Sequence, residues 1–256
     1  MKKFAFLLAV ALPVCAFTSC GDDDDPESLS ISSNTVEVAF GAQADLTANS
    51  PEANTSWTSS DPFVATYKDG KVVANHVGTC EITASWNGET KTCKVTVNPA
   101  NNDFTMPVIT WGADVAAVKA AVKGFQLDET NSTDNELRYY TNVASFTLPA
   151  YQYLFNGEGF TGLYSSNLLI EEGADLANVM KIQEWLKQYY NEKETEEDIE
   201  YVNGQNETIC VLSALIDAEG ESTDTWAAIW TAPATKAGQA DLVKASKAAA
   251  LRMVKK

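Results

Sequence analysis

The chain has 256 residues, with 35 acidic residues against 18 basic ones, a formal net charge of −17 and a single histidine. That charge repels nucleic-acid phosphates and anionic headgroups, so nucleic acid is not an expected partner. With 45% hydrophobic and 10% aromatic residues, the chain is too apolar to stay disordered and long enough to bury a sizeable core.

Lys2 and Lys3 precede an apolar run, Phe4 to Phe17, that ends in Thr18-Ser19-Cys20-Gly21. A basic start, a short apolar run and small residues make a secretory signal, and Pro13 leaves the run well short of the ~20 residues a membrane-spanning helix needs. Loss of residues 1–19 would leave 237 residues and a formal balance of −19, since Lys2 and Lys3 leave with them. Asp22, Asp23, Asp24 and Asp25 then form a solvated, self-repelling tether. Extended, residues 21–28 reach roughly 25–30 Å. Neither the turn glycine nor the bidentate glutamate of a calcium loop follows the aspartates.

Residues 28–98 read as short strands with turns between them. Leu29 and Ile31, then Val36, Val38 and Phe40, alternate with polar residues. Gly41, Asn49-Ser50-Pro51 and Lys68-Asp69-Gly70 punctuate further strands at 44–48, 64–67 and 71–74. Asn87-Gly88 between strands 81–86 and 89–97 is the clearest hairpin signal, because it supplies the positive φ of a two-residue turn. That turn puts Trp86 opposite Glu89 and Ile82 opposite Cys93. Cys80 and Cys93 then lie diagonally on the core side, either as a disulfide worth ~3 kcal/mol or as two buried thiols. An exported protein meets an oxidising compartment in which pairing is allowed. His76 precedes a turn glycine. Zinc wants three or four protein ligands, and only Cys80 is near His76 in sequence, so no metal site is expected.

Asn98-Pro99-Ala100-Asn101-Asn102-Asp103 is polar and turn-rich and marks a boundary. From residue 103 to 256 the periodicity changes. Helices are expected from Asp114 to about Gly124, from Ala174 to about Asn191 and from Gln239 to Val254, with strands at 137–141, 144–148, 151–155, 160–170, 199–202, 208–216 and 225–232. Runs of strands with helices between them predict an α+β domain with an antiparallel sheet and about three helices. Glu192, Glu194, Glu196, Glu197, Asp198 and Glu200 read as a solvated, mobile face. The alternative, a glycosidase pair, needs two carboxylates set about 5–10 Å apart across a cleft. Cys210 sits in an apolar strand and reads as a buried free thiol. Trp226 and Trp230 share one strand face. If that face is open they would stack on sugar; if it faces the helices they are core. No phosphate loop, serine elbow or His-Glu metal helix is present, so neither a catalytic residue nor a cofactor is assigned.

Three stretches carry resemblances. A cysteine directly after the apolar run resembles the lipobox of bacterial lipoproteins, with Phe17 where leucine is usual; the resemblance implies lipidation at Cys20, with residues 1–19 removed and 20–27 as tether. The aspartates after it resemble the export signal of surface lipoproteins in the Bacteroidota, which implies an outer-membrane anchor facing the exterior. Thr55-Ser56-Trp57-Thr58-Ser59-Ser60-Asp61-Pro62, Asp69-Gly70-Lys71-Val72, Val77-Gly78-Thr79 and Cys93-Lys94-Val95-Thr96-Val97 resemble the bacterial immunoglobulin-like group 2 domain over residues 28–98. That resemblance implies an all-β sandwich with Trp57 in its core, acting as a surface spacer or adhesive module without catalysis. The expectation is a lipid-anchored surface protein whose immunoglobulin-like unit presents the C-terminal domain to a protein or glycan. The alternatives are a glycan-binding accessory of a polysaccharide uptake system and, further off, a surface hydrolase.

Overall fold

A computed structural model of the chain describes residues 28–140, 151–157, 159–173, 176–234 and 236–254. Cys20, the four aspartates and the strand expected at 144–148 lie outside them. The described residues form mostly antiparallel β-sheet with three α-helices.

Residues 28–98 build two small sheets around one core. The first has the order β1 (Thr35–Ala39), β7 (Glu89–Asn98), β6 (Gly78–Trp86), β3 (Ser56–Ser59). The second is β2 (Gln43–Asp45), β5 (Lys71–Ala74), β4 (Ala65–Lys68). β1 runs parallel to β7. Alternation decides what is buried: Val36 and Val38, Val72 and Ala74, Cys80, Ile82 and Ala84, Cys93, Val95 and Val97 point inward, and most of them meet in one cluster with Leu46, Val64 and Ala65. Asn87 and Gly88 both have positive φ, 48° and 80°, and the register follows, with Trp86 opposite Glu89 and Ile82 opposite Cys93.

The disulfide is not formed: Cys80 and Cys93 are free, buried thiols. Cys93 faces Ile82 and Cys80 faces Val95. Diagonal neighbours across an antiparallel pair lie ~7–8 Å apart, whereas a disulfide needs Cβ atoms near 3.8 Å.

Residues 104–254 build one eight-stranded sheet in the order β12 (Asn191–Glu194), β13 (Ile199–Val202), β14 (Thr208–Ile216), β15 (Ser222–Thr231), β11 (Leu163–Glu171), β10 (Tyr151–Phe155), β9 (Glu136–Tyr140), β8 (Gln126–Leu127). One face packs on the segment after the linker, through Phe104, Met106, Val108 and Trp111, and on α1 (Val115–Ala121) and α2 (Ala177–Leu186). The Asp114 side chain caps α1 by accepting from the Ala117 amide at 2.7 Å. The hydroxyls of Tyr151 and Ser166 donate to the carbonyls of Thr105 and Val108, which staples that segment to the sheet. The other face carries α3 (Lys236–Val254), whose Leu242, Ser246, Ala249, Ala250 and Met253 recur at helical spacing and are buried.

Because both faces are covered, β10 is buried at all five positions and its polar Gln152 must find partners. The Gln152 carboxamide donates to Glu136 at 2.7 Å and accepts from Asn167 at 2.8 Å. Ser165 donates to Asn167 at 3.1 Å and receives the Ser246 hydroxyl of α3 at 2.8 Å. This relay ties three strands and a helix in one register.

One expectation fails at the sheet's edge and one holds in part. The central helix ends at Leu186 rather than Asn191, and of the acidic run Glu194, Glu196 and Glu197 are exposed while the rest is half-buried. Asn191–Glu194 is an edge strand paired with Ile199–Val202. Three of the carboxylates are partnered: Glu200 takes Lys193 at 2.8 Å, Asp198 takes Lys247 of α3 at 2.9 Å, and Glu192 accepts from Tyr201 at 3.1 Å. A charged edge strand of four residues is also a poor template for pairing with another chain.

Candidate functional site

A concavity lies where the two groups of sheets meet. It is an open cleft of about 700 Å³. Phe40, Phe63, Asn75 and His76 form its N-terminal wall; Lys187, Tyr190, Asn191 and Glu192 form the other. The rings are organised by contacts at the end of β5. Asn75 and His76 donate their amides to the Val64 carbonyl, and the His76 ring stacks on Phe63 with centroids 3.9 Å apart and planes at 5°. His76 Nδ1 lies 2.8 Å from the Phe63 carbonyl oxygen. As the N–H donor there it leaves Nε2 as the ring's acceptor. On the opposite wall Lys187 and Glu192 pair at 3.4 Å. Tyr190 turns its hydroxyl inward to the Met106 sulfur at 3.9 Å, and burial pushes that phenol up to about 12.

A cleft with aromatic rings, a carboxylate, an ammonium and a carboxamide can hold a polar ligand that has an apolar face. Among the described residues that line it, none is a serine, threonine or cysteine. His76 faces the cleft rim, while Cys80 points into the N-terminal core and Cys210 into the C-terminal one. Burial pushes all three thiols up, Cys210 furthest, away from the reactive thiolate. Among the described residues, no group of three His, Cys, Asp or Glu side chains could hold a metal ion.

Of the two readings of Trp226 and Trp230, glycan stacking and core, the structure takes core. Both join the C-terminal core, Trp230 fully buried opposite Ser166 and Cys210, Trp226 half-buried opposite Ile170 and Ala214. Shared parity placed them on one face correctly, but α1, α2 and the post-linker segment close that face. Trp57 is also half-buried against its core, its ring stacked on Tyr67 at 4.1 Å. Of the residues that line the cleft, the sequence singles out His76 and Glu192. Phe40, Phe63 and the stretch from Lys187 to Glu192 lie far apart in sequence, and no local pattern links them.

A second recess lies by β8, next to Asp128 and Tyr140. Burial of Asp128 works against its charge, but hydrogen bonds from Asn131 and Tyr140 outweigh it and hold the carboxyl below its ordinary value.

No family model matches the chain. The minor capsid protein of Enterobacteria phage T3 is 40% identical over 83 residues, 30% of this chain. The chain spans 19% of that protein's length. Among solved structures, domains 5–6 of the S-layer protein SbsC align at 14% identity with a TM-score of 0.23, over 82% of this chain and 86% of that one. Domains 4–9 of SbsC align at 14% identity with a TM-score of 0.24, over 82% and 27%. At such scores neither alignment bears on fold or function.

Proposed function

We propose that this chain is a lipid-anchored protein of the bacterial outer surface, in which an immunoglobulin-like unit at residues 28–98 spaces the C-terminal unit away from the membrane and presents it to a protein or glycan partner. One observation carries this reading. Entry to and exit from the N-terminal unit lie at opposite ends of β7. The Leu29 amide, just after the tether, bonds the carboxylate of Glu89 at the start of that strand at 2.9 Å. The chain leaves at its other end, Asn98, toward the C-terminal unit. Ten strand residues at ~3.4 Å each span about 30 Å, so the unit is crossed along its length, as a spacer requires. The acidic tether would add a comparable reach.

Lipidation at Cys20 would supply the anchor. Each buried CH₂ is worth ~0.8 kcal/mol, and one acyl chain holds only marginally, so two or three chains on one sulfur would make release negligible. The test is Cys20→Ser expressed in a host with a lipoprotein pathway. Wild type takes up an alkynyl fatty acid and stays with membranes through an alkaline wash, and the variant does neither. Retention of the variant would overturn the anchor.

A second reading, capture of a glycan, is favoured by the cleft and no longer by Trp226 and Trp230. Its aromatic wall suits the apolar face of a sugar, and Asn75, Lys187 and Glu192 suit hydroxyls. Loss of glycan-array binding in His76→Ala with Phe40→Ala, in the full mature chain, would support it. Array binding that survives both changes would place the partner elsewhere.

A further inference from the structure

We propose that Gln188 is a latch that makes the two units one rigid arm. Units joined by a short polar linker move independently unless something fixes the joint, and Asn98 to Asp103 has the composition of a hinge. Gln188 grips this joint from three directions. Its side-chain oxygen accepts the amides of Ala100 and Asn101 at 2.6 and 3.2 Å. Its side-chain nitrogen donates to the carbonyls of Asn101 and Trp185 at 3.4 and 3.5 Å. Its backbone carbonyl receives the amide of Val77, the residue before β6, at 2.7 Å. The residue is 1% exposed. Linker, C-terminal unit and N-terminal unit are thus joined through one buried residue.

A separate contact points the same way. In the turn between β13 and β14, a Cβ on Gly204 would stand 3.0 Å from Phe63 Cβ and 3.1 Å from Phe63 Cγ. Gly204 is not among the glycines with positive φ, so its backbone does not demand glycine. The close approach of Phe63 favours it. The turn lies so close to the N-terminal unit that any side chain at this position would push Phe63 back by a few tenths of an ångström. The fixed joint holds the cleft's two walls in place and presents the C-terminal unit at one angle to the spacer.

The test measures residual dipolar couplings in weakly aligned full-length mature protein, with Cys20→Ser to remove the lipid. Wild type is expected to fit one alignment tensor across both units. Gln188→Ala is expected to lose it, each unit keeping its own internal fit under a separate tensor, with loss of hydrogen-exchange protection at the Val77 amide. Separate tensors in the wild type would overturn the rigid arm, and a common tensor retained in Gln188→Ala would overturn the latch. Should Gln188→Ala fail to fold, Gln188→Met, which keeps the side chain's length and removes its hydrogen bonds to Ala100, Asn101 and Trp185, takes its place under the same two criteria. None of these readouts depends on the anchor or on any ligand.

Discussion

The two units of this chain solve the burial problem in different ways. The N-terminal unit packs two small sheets with one face of each turned inward, so its strands read buried, exposed, buried, and its core is mainly valine, isoleucine, alanine and cysteine. The C-terminal unit covers one large sheet on both faces, so β10 and most of β11 are buried throughout, and its core takes tryptophan and tyrosine. A half-covered sheet leaves room for polar residues on the open side. A doubly covered one must either exclude them or pair them, and Gln152, Asn167, Ser165 and Ser246 are paired.

The sharpest way to break this contrast is the removal of one large side chain from each core. Trp230→Ala is expected to destabilise the C-terminal unit by about 3–5 kcal/mol, while the half-exposed Trp57 should cost its own unit well under that. Urea unfolding followed separately by signals from each unit would show it, and equal losses would argue against the doubly covered sheet.

Alkaline pH should separate the units next. Burial raises the phenols of Tyr151, Tyr153 and Tyr201 far above their ordinary value. A raised folded pKa makes a contribution that is complete below the unfolded value near 10 and is lost as pH rises, at up to about 1.4 kcal/mol per pH unit for each tyrosine. The C-terminal unit should therefore weaken steeply above pH 10, with phenolate absorbance appearing only as it unfolds. Absorbance that appears before unfolding would mean the rings are open to water.

The polar relay comes third. Asn167→Ala strands the buried Gln152 oxygen and should cost about 1–3 kcal/mol, seen as a lower thermal midpoint for the C-terminal unit alone. Lys247→Ala, which frees the partly buried Asp198, should cost about 1 kcal/mol or less in the same measurement. Smallest of all is the effect of reductant on the N-terminal unit. With Cys80 and Cys93 as free thiols, dithiothreitol should leave its midpoint unchanged, whereas a disulfide would show a loss of about 2–4 kcal/mol.

Legibility followed the same divide. Period-two alternation and the Asn87-Gly88 turn specified the N-terminal hairpin to the residue, because each signal is local. At the C-terminal edge the pattern of aromatic and acidic residues from Tyr189 onward predicts helix and then a solvated face. They leave the helix at Leu186 because β13 offers a ladder to Asn191–Glu194, with partners five to eleven residues further on. The cleft was not legible at all, since its two walls meet only through the joint.

From the chain alone came the short strands of the first half, the pattern of helices and antiparallel strands in the second, and the diagonal placement of the two cysteines. All rest on neighbours in sequence, on the two-residue period of a strand and the 3.6-residue period of a helix. Tertiary structure decided that the tryptophans of β15 are core, that the thiols stay free, and that Gln188 and Gly204 hold the units together. Which face of an element is covered, and by what, depends on residues distant along the chain, and no local periodicity records them.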